Sequence, residues 1–212
     1  MSEGQDNIKE YGSSNVDGIQ IISIIGEIEG HENLNRDSKT TRYDHMLPLL
    51  ASMEMDPNIK GILFLVNTVG GDVSCGLALA ELISGMTKPT VSLVIGDSHS
   101  IGVPVAVAAD YSFIVPTATV IIHPVRMSGT ILGTNQTYKQ FKSIQDRIIS
   151  FIAAHSCCPE NELESMMMET CMMAKDLGTI LVGSEAVKVG VINECGNIHR
   201  AFEKLYEMIN VK

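Results

Sequence analysis

Residues 94–110 read VIGDSHSIGVPVAVAAD, and this stretch decides how the rest of the chain is interpreted. An apolar run ends at Gly96, and a second apolar segment, made of small residues, begins at Ile101. The pattern predicts a buried strand, a tight turn and a buried helix. The predicted turn holds Ser98, His99 and Ser100. A serine at such a junction lies beside the free N–H groups of the helix, which is a favourable position for a nucleophile.

The composition excludes several classes of protein. The chain has 212 residues, is 45% hydrophobic and carries a formal net charge of −10. Phosphate groups would repel this charge, so we expect no nucleic-acid partner. No apolar run approaches the roughly 20 residues of a membrane span. The polar first residues lack the apolar core of a signal peptide, so we expect a cytoplasmic protein with no membrane span.

The length predicts one domain, residues 18–212, behind a flexible tail of residues 1–17. The five cysteines are an odd number, include an adjacent pair and form no C-x-x-C motif. This spacing argues against a disulfide framework or a zinc site, and it favours reduced thiols. Because the histidines and cysteines are scattered, we expect neither a metal nor an organic cofactor.

Predicted strands alternate with predicted helices along the first two thirds of the chain. The strands are expected at residues 19–25, 61–66, 90–95, 112–115 and 119–122, and the helices at 43–53, 73–86 and 101–109. The strands are apolar throughout rather than alternating, which indicates a mostly parallel sheet covered on both faces. An amphipathic helix is predicted at about residues 136–155, and a methionine-rich helix after Pro159. A short strand is predicted at residues 191–193.

Two further features could complete an acyl-transfer site around the turn serines. The pair Gly70–Gly71 follows a buried strand, where it forms either a plain turn or a place for backbone N–H groups to approach an anion. His123 ends another strand, where it is either structural or a general base. Asp176 is the candidate that would orient the imidazole, and its other interpretation is a solvated loop acid or a helix cap.

The order of these motifs resembles the ClpP peptidase family over residues 19–195. The matching motifs are Asn67-x-x-Gly70-Gly71, Gly96-x-x-x-Ser100-x-Gly102 and Ile122-His123-Pro124. The helix at about 136–155 resembles the protruding handle helix of that family. The stretches NTVGGDV, HSIGVPVAVAADYSFI and IIHPVR are similar to a ClpP-like subgroup, the translocation-enhancing proteins, which is associated with spore-forming bacteria.

The resemblance implies an α/β fold, the ClpP/crotonase-type ββα superhelix. It also implies a role for each matching residue. Ser100 would be the nucleophile, His123 the general base and Asp176 the third member of a triad; the oxyanion hole would be the Gly71 and Ile101 N–H groups, shaped by Gly70. Ser98 is the rival nucleophile, although its spacing to Gly102 fits the motif less well.

The resemblance further implies a serine endopeptidase, not itself ATP-dependent, that cleaves peptides or unfolded proteins in the cytosol. Stacked homo-oligomeric rings and an unfoldase ATPase are the implied partners. The subgroup suggests a link to presecretory protein translocation or spore protein turnover.

Three other functions stay open at the level of sequence. A crotonase-type acyl-CoA enzyme would use Asp72 or Asp97 as its base, and a non-catalytic assembly protein would need no nucleophile. His123 and the absence of an apolar span argue against a signal-peptide peptidase with a Ser–Lys dyad. Asp72, Asp97 and His99 are polar where the ClpP family has small or apolar residues, so they distinguish this chain.

Overall fold

A computed structural model describes residues 13–31, 38–126, 132–170 and 177–211. The strands are β1 (Ser13–Val16), β2 (Ile19–Glu29), β3 (Thr40–Arg42), β4 (Gly61–Gly71), β5 (Thr90–His99), β6 (Tyr111–Ile114), β7 (Thr119–Ile122), β8 (Thr179–Val182) and β9 (Glu194–Cys195). The helices are α1 (Tyr43–Met55), α2 (Val73–Ser84), α3 (Gly102–Val107), α4 (Asn135–Ala154), α5 (Glu160–Met167), α6 (Ser184–Lys188) and α7 (Ile198–Val211). The described part of the chain thus has the predicted α/β character.

The described strands form one mixed sheet in which the parallel pairs predominate. The main path runs β1-β2-β4-β5-β6-β9, while β3 lies beside the end of β2, and β7 lies between β5 and β8. In these ranges only the β1–β2 and β7–β8 pairs are antiparallel. The mostly parallel sheet predicted from the continuous apolar runs is therefore confirmed.

Apolar side chains fill both faces of the sheet. The larger cluster packs one face against most of the helices and includes Phe64, Leu79 and Val94. A smaller cluster, with Leu63, Phe113 and Leu205 among its members, packs the other face against α7. The strands are covered on two sides, which explains why their sequences are apolar without alternation.

Helix α4 is the long amphipathic helix that the sequence predicts. The Thr134 side chain caps its beginning by accepting a hydrogen bond from the Thr137 N–H. Its fully buried residues all lie in the second half: Ile148, Ile149, Phe151 and Ile152. Tyr138, in the first half, is 70% exposed. None of the helices in the described ranges has the length and apolar character needed to span a membrane.

The sequence prediction was wrong about where the central strands end. Strand β4 continues through Gly71 and β5 through His99, so the glycine pair, Ser98 and His99 are strand residues rather than turn residues. The extensions are paired with neighbouring strands, β4 with the end of β2 and β5 with β7. Hydrophobic periodicity did not detect these extensions because backbone hydrogen bonds, rather than apolar side chains, hold them in place.

Differences of the same kind occur near both termini. Ser13–Val16, placed in the predicted flexible tail, forms β1 against β2. Strand β8 was not predicted, and the short strand expected at residues 191–193 lies at Glu194–Cys195 instead. Each of these short strands depends on a partner strand that local patterning does not register.

The packing of α2 on the sheet predicts a large effect of one substitution. Leu79 is 0% exposed in the main core cluster, whereas Leu132 is 71% exposed. Leu79→Ala should lower the free energy of unfolding by about 2–5 kcal/mol, because the removed methyl groups leave a cavity. Leu132→Ala is the matched control and should change stability by less than about 0.5 kcal/mol in chemical denaturation. Equal effects of the two substitutions would contradict this core.

Candidate active site

The candidate site lies where the carboxyl ends of β4, β5 and β7 meet at one edge of the sheet. These strands are parallel neighbours, with Thr68 opposite Ser98 and His99 opposite Ile121. The carboxyl edge of a parallel sheet is where ligands usually bind in α/β proteins. The pairing brings the residues that follow each strand to the same edge.

Ser100 occupies a strained turn directly after β5. Its φ angle is 56°, a value that side-chain-bearing residues rarely adopt. Its N–H donates a hydrogen bond of 2.9 Å to the Ile121 carbonyl, and its own carbonyl accepts one of 3.0 Å from Val103. These two bonds hold the turn between strand β7 and helix α3. The side chain of Ser100 stays partly exposed.

The structure separates the two candidate serines by burial. Ser98 is 0% exposed within β5, and its Oγ has no hydrogen-bond partner among the described residues. A substrate carbonyl therefore has no access to Ser98 in this conformation. Ser100 combines partial exposure with the sharp turn, so the burial pattern favours it over Ser98.

Gly70 lies against the Ser100 turn. Its φ of 91° belongs to the region that glycine adopts freely. A Cβ atom built on Gly70 would lie 2.7 Å from the His99 carbonyl oxygen and 2.8 Å from the Ser100 Cβ. Only glycine, which has no side chain, allows this close approach. The turn at Ser100 therefore requires the Gly70 of the sequence motif.

His123 follows β7 on the same edge. Its Nδ1 lies 2.7 Å from the Pro124 carbonyl oxygen. A carbonyl only accepts hydrogen bonds, so Nδ1 carries the proton and the neutral ring has its lone pair on Nε2. This is the tautomer that a general base in acyl transfer requires. Gly178 packs on the other side, where an added Cβ would lie 2.8 Å from the His123 Cβ.

A second polar cluster, formed by Asp97, His99 and Thr119, lies next to Ser100 and His123. The His99 Nε2 is 2.7 Å from the Thr119 Oγ1 and 3.3 Å from the Asp97 Oδ1. Thr119 donates its hydroxyl to the same Asp97 oxygen at 2.9 Å. Asp97 and His99 were noted in the sequence as unusual polar residues, but Thr119 was missed. Its only sequence signal is a hydroxyl at an outward position of a short strand.

Backbone N–H groups suited to an anion lie beside Ser100. Among the described residues, none accepts a hydrogen bond from the Ile101 N–H, which directly precedes helix α3. The position of a Cβ built on Gly70 would be 3.4 Å from that nitrogen. Gly71 is exposed at the end of β4. The edge therefore offers the Ile101 N–H close to the serine turn, and the participation of Gly71 stays a prediction.

A comparison with family models matches residues 20–199 to the Clp protease family. The chain belongs to this family. Its Clp-type peptidase character follows from the match, which spans the described site.

Individual relatives agree with the family match. The chain is 46% identical over 206 residues to the translocation-enhancing protein TepA of Halalkalibacterium halodurans, covering 97% of this chain and 79% of that protein. It is 26% identical to the ATP-dependent Clp protease proteolytic subunit of Leuconostoc citreum, over 71% of this chain and 72% of that one. The resemblance inferred from the motifs is thereby confirmed.

Solved structures confirm the fold. The structure of a ClpP1 point mutant from Listeria monocytogenes superposes with a TM-score of 0.67 and covers 85% of this chain and 93% of that chain. At 20% sequence identity, this similarity concerns the arrangement of helices and strands alone. It confirms the ClpP-like α/β fold that the sequence predicts.

Asp176 lies outside the described residues, and so does Cys171. Asp72, the carboxylate considered for an acyl-CoA enzyme, is the N-cap of α2 and accepts a hydrogen bond of 2.9 Å from the Cys75 N–H.

Burial raises the pKa of the Cys75 and Cys158 thiols to about 11. Such thiols are inert at neutral pH.

No metal site accompanies the edge in the described ranges, where no group of three or more histidine, cysteine, aspartate or glutamate side chains is suitably placed. The arrangement instead offers a serine on a strained turn, an imidazole whose lone pair is on Nε2, and backbone donors. These are the components of acyl transfer.

The contact between Gly70 and the Ser100 turn predicts a selective defect. Gly70→Ala should displace the turn and cost about 1–3 kcal/mol, because the new Cβ meets backbone and the φ angle becomes strained. The protein should also lose most of its reactivity toward serine-directed reagents. Gly133→Ala is the control, since an added Cβ there meets no atom within 4 Å. Wild-type reactivity of Gly70→Ala would rule out the close packing described above.

Proposed function

We propose that the protein is a serine endopeptidase in which Ser100 is the nucleophile and His123 the general base. The observation that carries the proposal is the turn at Ser100. There a non-glycine residue with φ of 56° is tied by its N–H to Ile121, two residues before His123. Strained backbone of this kind is characteristic of functional sites, and it costs about 1–3 kcal/mol that the surroundings must offset.

The proposed chemistry uses each group in turn. The Ser100 Oγ attacks the carbonyl carbon of a peptide bond while the His123 Nε2 takes the hydroxyl proton. The Gly71 and Ile101 N–H groups stabilise the oxyanion, with Gly70 shaping the space. His123 then gives the proton to the leaving amine. Water, activated by the same Nε2, hydrolyses the acyl-enzyme and regenerates Ser100.

The imidazole needs a group that orients it, and two acceptors are candidates. The Pro124 carbonyl receives the Nδ1–H in the structure. We propose Asp176 as the third member of the triad, as the family resemblance implies. Its chain neighbours support this choice, because Gly178, two residues further on, packs directly against His123. Asp176→Asn should then lower the rate of acyl transfer without abolishing it.

Peptides or unfolded proteins in the cytosol are the proposed substrates, and a separate unfoldase ATPase would deliver the folded ones. The relative with 46% identity is named a translocation-enhancing protein, which supports a role in presecretory protein translocation. Turnover of spore proteins is the second process that the subgroup suggests. The match to the Clp protease family favours peptide hydrolysis over the acyl-CoA chemistry of crotonase-type enzymes.

Labelling with a fluorophosphonate tests the nucleophile and the base together. The wild type should be labelled at Ser100, as read by peptide mass spectrometry, because the reagent traps a serine whose proton is removed by a base. Ser100→Ala should abolish labelling and His123→Ala should slow it by about 10²–10⁴-fold. Ser98→Ala is the control and should react at the wild-type rate, since Ser98 is buried.

Each unexpected result has a definite meaning. Labelling at Ser98 would move the nucleophile and overturn the assignment of Ser100. A folded, assembled protein that no fluorophosphonate labels would contradict the peptidase and favour the non-catalytic or acyl-CoA alternative, which coenzyme A binding by calorimetry would distinguish.

We propose that copies of the chain assemble as stacked rings, with the exposed first half of α4 pairing one ring with the other. The support is Tyr138, a large side chain that is 70% exposed in the first half of the amphipathic helix α4. Native mass spectrometry should show a multimer, and Tyr138→Lys should halve its size by separating the rings. Val211→Lys, at a residue 88% exposed on α7, is the control and should leave the size unchanged. A monomeric wild type would refute the rings.

A further inference from the structure

The cluster of Asp97, Thr119 and His99 has a defined arrangement of protons. A carboxylate only accepts hydrogen bonds, so the Thr119 hydroxyl gives its single proton to the Asp97 Oδ1. The Thr119 oxygen must then accept from His99, which places a proton on Nε2. A neutral His99 therefore has its lone pair on Nδ1, and its ring is fixed by a hydrogen-bonded chain that ends on Asp97.

The cluster lies beside the end of β7, where His123 follows. Side chains alternate along a strand, so Thr119 and Ile121 point the same way, and His123 comes two residues after Ile121. His99 is directly opposite Ile121 across the β5–β7 pair, which makes His123 its diagonal neighbour. The two imidazoles are close enough for the charge of His123 to act on His99.

The surroundings favour an uncharged His99. Burial lowers the pKa of His99, and the charge of His123 lowers it further, while the Asp97 carboxylate partly opposes both effects. Within the described residues, Asp97 on its own strand and His123 after β7 are the titratable groups that act on it. On β7, both the residue opposite His99, Ile121, and its hydrogen-bond partner, Thr119, are neutral. The Thr119 hydroxyl donates to the carboxylate and accepts from the imidazole, whose Nε2 also lies 3.3 Å from the Asp97 Oδ1.

We propose that Asp97, Thr119 and His99 form a relay that holds His99 as a neutral positioning residue beside the catalytic base His123. This proposal rests on the proposed function of Ser100 and His123. An imidazolium forms at His123 in the transition state of acyl transfer, and a second positive charge beside it would destabilise that state. Burial and the charge of His123 disfavour such a charge on His99, and the relay fixes the uncharged ring next to the nucleophile.

Nuclear magnetic resonance titration of the folded Ser100→Ala protein tests the relay without requiring activity. The His99 ring should show the Nε2–H tautomer and should titrate below the ordinary histidine value of about 6.5. In the background of His123→Gln, the midpoint of His99 should rise, because the repelling charge is gone. An Nδ1–H tautomer, or a midpoint that does not respond to His123→Gln, would overturn the proposal.

The pH dependence of fluorophosphonate labelling tests the effect on His123. His99→Lys places a fixed charge at this position, so labelling should slow by about tenfold and its acidic limb should move about one pH unit lower. His99→Gln is neutral and should leave the limb in place. Met55→Lys, at a residue 82% exposed on α1, adds the same charge elsewhere and is the control. Identical profiles for His99→Lys and His99→Gln would overturn the proposal.

Substitutions of Thr119 distinguish the relay from a merely structural contact. Thr119→Val removes the hydroxyl that shares the Asp97 carboxylate, so the His99 Nε2, already 3.3 Å from the Asp97 Oδ1, becomes its main partner. This favours the charged ring and should slow labelling. Thr119→Ser retains the hydroxyl and should restore the wild-type profile. The effect of Thr119→Val should vanish when His99→Gln is also present. A defect of the same size in both backgrounds would overturn the proposal.

These experiments distinguish failure of the relay from failure of the proposed function. If the wild type is not labelled at Ser100, the peptidase assignment fails, and the titration of His99 alone decides whether the relay exists. If labelling occurs but the profiles do not depend on residue 99, the peptidase stands and the relay falls.

Discussion

The candidate site depends on a change of neighbour along strand β5. Residues 91–94 pair with β6, whereas residues 97–99 pair with β7. The change lets β7 lie beside the end of β5, and the Ile121 carbonyl then accepts the hydrogen bond of the Ser100 N–H. Without that bond the left-handed turn at Ser100 would lose its tie to β7, and the serine would tend to continue the strand. The nucleophile proposed here is thus positioned by backbone pairing rather than by its own side chain.

The same pairing sorts the polar residues around the turn into different environments. Ser98 faces the core, where its hydroxyl has no partner among the described residues. Asp97 and His99 face the other way and meet Thr119 across the strand pair. Alternation along β5 therefore places the buried Ser98 on one face, and Asp97 and His99, which are joined through Thr119, on the other. Three consecutive polar residues fall on two faces because successive side chains of a strand point to opposite sides.

The sequence motifs identified the residues of this edge, whereas the secondary-structure prediction assigned some of them to the wrong elements. The spacing of Gly70, Ser100 and His123 indicated a common site, and the structure brings their strand ends to one edge. Their assignment to turns was wrong for the glycines, which end a strand. Apolar patterning reports burial, and it could not register strand extensions that are held by hydrogen bonds from a distant segment. Asp176 and its role stay a prediction.

The sequence by itself determined the class of fold and the family, because continuous apolar strands alternate with helices and the three motifs keep their order and spacing. It also marked position 70 as a glycine of the motif, and the structure shows that no side chain fits there. Only the tertiary structure showed that Ser98 is buried while Ser100 is partly exposed, and only it joined Thr119 to Asp97 and His99. The physical reason is that burial, tautomer and charge depend on neighbours brought in by strand pairing, and those neighbours are distant along the chain.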